Sequence, residues 1–122
     1  MKNENYGIDL RTRTKKFAVR IIRLSDSLPN GRSAQTMGKQ IMRSGTSVGA
    51  HYREAFRAKS DADFISKIEG ALQELDETTY WMELLVESGI MKIELLSDLM
   101  NEANELIAIF TTIVLNVKKK KK

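Results

Sequence analysis

Gln40-Ile41-Met42-Arg43-Ser44-Gly45-Thr46-Ser47-Val48-Gly49-Ala50-His51-Tyr52-Arg53-Glu54-Ala55-Phe56 is the stretch on which the fold turns. It has no proline and its apolar residues recur at helical spacing, so it predicts an α-helix. The helix is an unusual one. Two glycines, Gly45 and Gly49, fall in its interior, where each costs about 1 kcal/mol relative to alanine. Close approach of a neighbouring helix offsets such a cost, so both are expected to face one. Projected at 100° per residue, Met37, Ile41, Val48, Tyr52 and Ala55 share one apolar arc of about 60°. Arg43, Ser47, His51 and Glu54 share a second, polar arc. Arg32, Lys39, Arg53 and Arg57 share a third, basic one. A helix of a lone bundle needs only an apolar and a solvated face. The third face predicts a second contact surface.

Working outward, the same periodicity marks three more helices. The first runs from about Asp9 to Leu28, with Leu10, Phe17, Ile21, Leu24 and Leu28 as its stripe. Pro29 disfavours helix in the residue before it, and Pro29-Asn30-Gly31 is a turn signal. The second runs from about Ser33, a candidate N-cap, to Arg57. The third opens at Ser60-Asp61-Ala62-Asp63, a capping box with Asp in place of Glu. Phe64, Ile68, Leu72, Leu75, Met82 and Val86 form its stripe, and Gly89 closes it. The fourth runs from about Lys92 to Val117 on Leu96, Leu99, Ala103, Leu106, Phe110, Ile113 and Val117. Short links make sequential helices neighbours, so residues 9–117 are expected to form an all-α, antiparallel up-down-up-down four-helix bundle. Residues 1–8 are expected to be a flexible N-terminus, and the lysine tail 118–122 to be disordered.

The chain has 122 residues, the size of one domain with a substantial core. It has no cysteine, which removes disulfides, thiolate metal sites and cysteine nucleophiles. With one histidine and no Glu-x-x-His pattern, neither a di-metal bundle site nor a zinc site is expected, nor any other cofactor. No apolar run approaches a membrane span, and Lys2, Asn3, Glu4 and Asn5 lack the apolar core of a signal peptide. A cytoplasmic location is therefore expected.

Charge is distributed unevenly. Residues 1–59 carry 13 Lys+Arg and 4 Asp+Glu, a balance of +9; residues 60–117 carry 2 and 12, a balance of −10; the tail adds +5, giving +4 overall. Either the basic half pairs with the acidic half, within or between subunits, or a basic face meets phosphates. Arg11, Arg13, Lys15, Lys16 and Arg20 crowd the first helix, and Arg53 and Arg57 end the second. These seven are the candidate nucleic-acid contacts. With Phe17 on the core stripe and only Tyr6 otherwise near, few aromatics accompany the first helix, so binding should rest on phosphate contacts and be strongly salt-dependent.

The third helix carries a stripe beside its core face: Lys67, Gly70, Glu74, Glu77 and Trp81. Opposite Arg43, its carboxylates would make charge-assisted pairs, within one subunit or across two. Trp81 is either an interface anchor or a side chain packed at the core edge with its N–H bonded. Together Arg43, Ser47, His51, Glu54, Lys67, Glu74, Glu77 and Trp81 form a candidate interface network.

Those residues also carry a resemblance. Arg43-Ser44-x-x-Ser47-Val48-Gly49-Ala50-x-Tyr52-x-Glu54-Ala55, then Arg57-Ala58-x-Ser60, Asp63-Phe64-Ile65-x-Lys67, Glu74-x-x-Glu77-Thr78-x-Tyr80-Trp81 and Leu84-Leu85 resemble the four-helix-bundle proteins encoded in 23S ribosomal RNA intervening sequences. The resemblance spans about residues 10–115. It implies a left-handed bundle assembled as a ring-like homopentamer. Related accessory proteins of diversity-generating retroelements form similar barrels that bind a reverse transcriptase and nucleic acid. RNA or DNA, and a reverse transcriptase or other protein, are therefore the partners the resemblance implies besides a second copy. It implies no enzymatic activity, and the molecular role of the family is largely unknown. The family pattern usually has Asn at the position of His51. A neutral imidazole offers one donor and one acceptor, an amide more, and an imidazole that titrates would make the network sensitive to pH.

Two other readings stand beside nucleic-acid binding. In one, the chain is a structural or protein-binding scaffold whose charges are consumed by subunit pairing. In the other, it is a metal-independent ribonuclease with His51 as general base and an arginine stabilising phosphate charge. Small helical nucleases of the HEPN superfamily place an Arg and a His on one helix. Here Arg43 and His51 are separated by seven residues, more than that motif allows. No catalytic residue is assigned.

Overall fold

The structure is a computed structural model in which residues 2–120 are described, with side chains from residue 9 onward. It is an all-α four-helix bundle: α1 Lys2–Ser27, α2 Arg32–Ala55, α3 Asp61–Glu87 and α4 Ile93–Lys120. Each helix packs on the next, and α1 touches α4 least. Among the described residues no helix is long and apolar enough to cross a membrane.

The helix ends follow local chemistry, with three departures from expectation. Ser33 does not cap α2. Gly31 is the N-cap in an extended conformation without a side-chain bond, and the Gln35 amide reaches back to the Pro29 carbonyl at 2.9 Å. The Pro-Asn-Gly turn brings the backbone into the helix two residues before the serine. At the other termini, α1 extends over the backbone of residues 2–8, where no proline interrupts it, and α4 continues through Lys118, Lys119 and Lys120. Lysine is a good helix former and suits the negative end of the helix dipole. Met1, Lys121 and Lys122 lie outside the described residues.

The cap of α3 forms nearly as its sequence reads. The Ser60 hydroxyl accepts the Asp63 amide at 3.0 Å, while the Asp63 carboxylate takes the Lys59 amide at 3.3 Å, one residue before the cap. Gly89 follows α3 at φ 81, the positive value for which glycine is suited.

The buried core joins Leu10, Phe17, Ile21, Leu24 and Leu28 of α1 and its turn to Ile41, Val48, Tyr52 and Ala55 of α2, Ile68, Leu75 and Met82 of α3, and Leu96, Leu99, Leu106 and Phe110 of α4. Phe64, Leu72, Val86 and Ile113 are only partly buried, and Ala71, Leu85 and Val114 fill the deep positions beside them.

Glycines set the α1–α2 distance. A Cβ on Gly45 would lie 2.7 Å from both γ-carbons of Ile21, and one on Gly49 would lie 3.2 Å from the Thr14 hydroxyl. Gly38 extends the seam, and there the Ser25 hydroxyl donates to the Gly38 carbonyl at 3.0 Å. The contacts Thr14–Gly49, Ile21–Gly45 and Ser25–Gly38 run in opposite order along the two helices, so α1 and α2 are antiparallel.

Candidate nucleic-acid interface

The polar arc of α2 meets the stripe of α3 inside one chain. Arg43 donates to Glu74 at 3.4 Å and closely to Glu77. Ser47 donates to the Arg43 carbonyl at 2.6 Å, and Lys67 pairs with Glu54 at 3.2 Å. His51 Nε2 lies 3.7 Å from Glu74. These pairs also run antiparallel. At the base of the seam Thr78 and Ser44, both fully buried, are joined at 2.8 Å, with Thr78 also 2.7 Å from the Glu74 carbonyl. Within the chain, the charged members of the network pair along the α2–α3 seam.

His51 and Trp81 border this seam without satisfying all their polar atoms. The His51 ring occupies the space above Gly70, and its Nδ1 is buried with no hydrogen-bond partner among the described residues. Trp81 packs at the core edge beside Tyr80, with ring centroids 5.3 Å apart. Its buried N–H is likewise without a partner there, so the core-edge packing is found without the bond that this alternative included. A shallow depression on α3 is lined by Gln73, Asp76, Glu77, Thr79, Tyr80 and Glu83. Its carboxylates repel phosphate.

The basic half behaves differently. Of the basic side chains from Arg11 to Lys59, only Arg13 and Arg43 make ion pairs among the described residues. Arg13 binds Glu102 through two nitrogens, at 3.0 and 2.7 Å, and Glu105 at 3.1 Å. The hydrogen bond to Glu102 holds its guanidinium above the usual arginine range. Arg13 is therefore a bridge from α1 to α4 and is removed from the set of candidate phosphate contacts. Lys16 and Arg20 share its side of α1, three and seven residues on, and remain exposed. Arg11 and Lys15 lie on a separate stripe.

That second stripe reaches α2. The Arg11 guanidinium carbon lies 5.4 Å from the centroid of the Phe56 ring. Phe56 caps the C-terminal end of α2 and is 53% exposed, between exposed Arg53 and Arg57. Tyr52 meets its ring edge-on at 5.1 Å. The candidate contacts thus fall into two groups: Arg11 over Phe56, with Lys15 one turn further along its stripe and Arg53 and Arg57 beside Phe56 in sequence, and Lys16 and Arg20 on the stripe of Arg13. Phe56 escapes a reading of the first helix because it arrives from the end of the second.

Fold and surfaces together define a helical bundle with an internally paired polar seam and a largely unpaired basic side. A model of the 23S rRNA-intervening sequence protein family matches residues 8–112, and the chain belongs to that family. Among solved structures it is similar to the crystal structure of a protein of unknown function from the S23 ribosomal protein family of Bacteroides thetaiotaomicron VPI-5482. The two are 40% identical, with a TM-score of 0.83, over 88% of this chain and 96% of that one. No curated protein matches the chain.

Proposed function

We propose that this protein is a non-enzymatic, homo-oligomeric bundle, pentameric as the family resemblance implies, that binds RNA or DNA through its basic side as a cytoplasmic accessory factor. One observation carries the reading: Arg11, Lys15, Lys16, Arg20, Arg53 and Arg57 are exposed and make no ion pair among the described residues. Pairing within the chain leaves most of the first half's positive charge free to meet phosphates. The acidic half, by contrast, turns part of its charge inward on Arg13 and Arg43.

The non-enzymatic element rests on His51 and Arg43. The imidazole is packed against α3 with one nitrogen buried, and Arg43 is held by two carboxylates. The depression that borders Arg43 through Glu77 is lined by carboxylates, which repel a phosphodiester.

The test is binding of a labelled RNA at low and moderate salt, with the oligomer mass measured in parallel. Binding that weakens steeply with salt and survives removal of Lys118–Lys122 is expected. No binding at low salt, or binding lost with the tail alone, refutes the nucleic-acid reading and leaves the scaffold. Exposed Val19, Ile22, Leu95 and Leu115 supply apolar surface for subunit contacts in either case.

A further inference from the structure

We infer that Phe56 is a base-stacking platform that makes the basic side select single-stranded over duplex nucleic acid. The inference rests on the nucleic-acid reading above and adds the class of ligand. A lone exposed apolar residue is unremarkable in itself. The surroundings of Phe56 are what matter. Its ring is held by Tyr52, which packs in turn on Phe110 in the core at 5.4 Å, so the platform is anchored. Arg11 lies over it, and Arg53 and Arg57 flank it in sequence. Arg11, Arg53 and Arg57, none with a carboxylate partner among the described residues, thus accompany one half-exposed aromatic face, and Lys15 continues the Arg11 stripe one turn on.

Single-strand binding needs this combination: cations that track the phosphates and an aromatic face that takes an unpaired base. In a duplex the base faces are already stacked on one another, so a phenyl ring on a protein surface gains nothing from them. Duplex binding therefore uses only the cations, while single strands use both. A two-fold contact with a second copy would set Arg11, Arg53 and Arg57 against themselves, and a head-to-tail ring contact at the patch is read from the oligomer mass.

The test uses the full chain with a labelled oligo-uridine and an RNA duplex of equal length. The wild type should bind the single strand more tightly. Phe56→Ala and Phe56→Leu should weaken that binding by about 5- to 100-fold and leave duplex affinity unchanged. Phe56→Leu keeps an apolar contact for Tyr52, so an unaltered melting temperature separates lost stacking from lost fold. Phe56→Trp should retain single-strand binding, with its added indole fluorescence quenched by the strand. If the Phe56 variants change both affinities equally or neither, while Arg53→Gln with Arg57→Gln weakens both, the stacking inference falls and the nucleic-acid reading stands. If the wild type binds neither RNA at low salt, both fall. If Phe56→Ala changes the oligomer mass and not RNA affinity, the patch is a subunit contact and the inference is overturned.

Discussion

The His51 ring of α2 occupies the space that a side chain at Gly70 of α3 would need: a Cβ there would lie 2.9 Å from His51 Nδ1. The obstructing atoms are the end of a partly exposed side chain. Gly70→Ala is therefore expected to change stability by less than about 1 kcal/mol, because the helical gain from alanine offsets the displaced ring. In a His51→Ala background the same substitution should stabilise by nearly the full ~1 kcal/mol. Thermal melts of the four variants check this. Additivity between the two sites would show that they do not interact.

Gly45 should behave in the opposite way. Its obstruction is the branched, fully buried Ile21, with two γ-carbons at 2.7 Å from the added Cβ. Gly45→Ala is expected to lower stability by about 1–3 kcal/mol, the usual range for overpacking, despite the better helix former. Denaturant titration checks the sign. A stabilised Gly45→Ala variant would show that α1 and α2 separate readily.

The contrast between these glycines shows what was legible in the residues. The apolar stripe of α2 and the need for close approach at Gly45 and Gly49 follow from helical period and propensity, both local properties. The Ser60 cap is local too. Ser33 misled because the backbone of the Pro29–Gly31 turn outweighs a side-chain preference for the cap position. Arg13 and Arg20 looked alike on α1, and only the fold brings Glu102 to one of them. Phe56 was silent for the same reason, since Arg11 meets it from another helix. Which carboxylates Arg43 meets was equally a matter of packing, and within the chain they are Glu74 and Glu77 of α3.

The buried Ser44–Thr78 pair predicts a coupled loss. Each hydroxyl has one proton, and Thr78 is also within reach of the Glu74 carbonyl. Removing either hydroxyl leaves the other with one partner fewer in a fully buried site. Ser44→Ala is expected to cost about 1–2 kcal/mol, and adding Thr78→Val should cost less than the two single effects combined. A double-mutant cycle by chemical denaturation measures the coupling. Strict additivity would remove the hydrogen bond from the stability of the seam.

Arg13 and Arg53 separate structural from ligand-facing charge. Arg13 is three-quarters buried and tied to Glu102, whereas Arg53 is exposed and unpaired among the described residues. Arg13→Gln should lower stability by about 1–3 kcal/mol through loss of the charge-assisted bonds that join α1 to α4. It should leave the salt dependence of RNA binding nearly unchanged. Arg53→Gln should leave the melting temperature in place and reduce the slope of log affinity against log salt by about 0.7–0.9, the value for one phosphate contact. Salt titrations of the two variants beside their thermal melts check both halves. A slope that drops with Arg13→Gln and not with Arg53→Gln would move the nucleic-acid contacts to the α4 side of α1, onto the stripe that Lys16 and Arg20 share with Arg13.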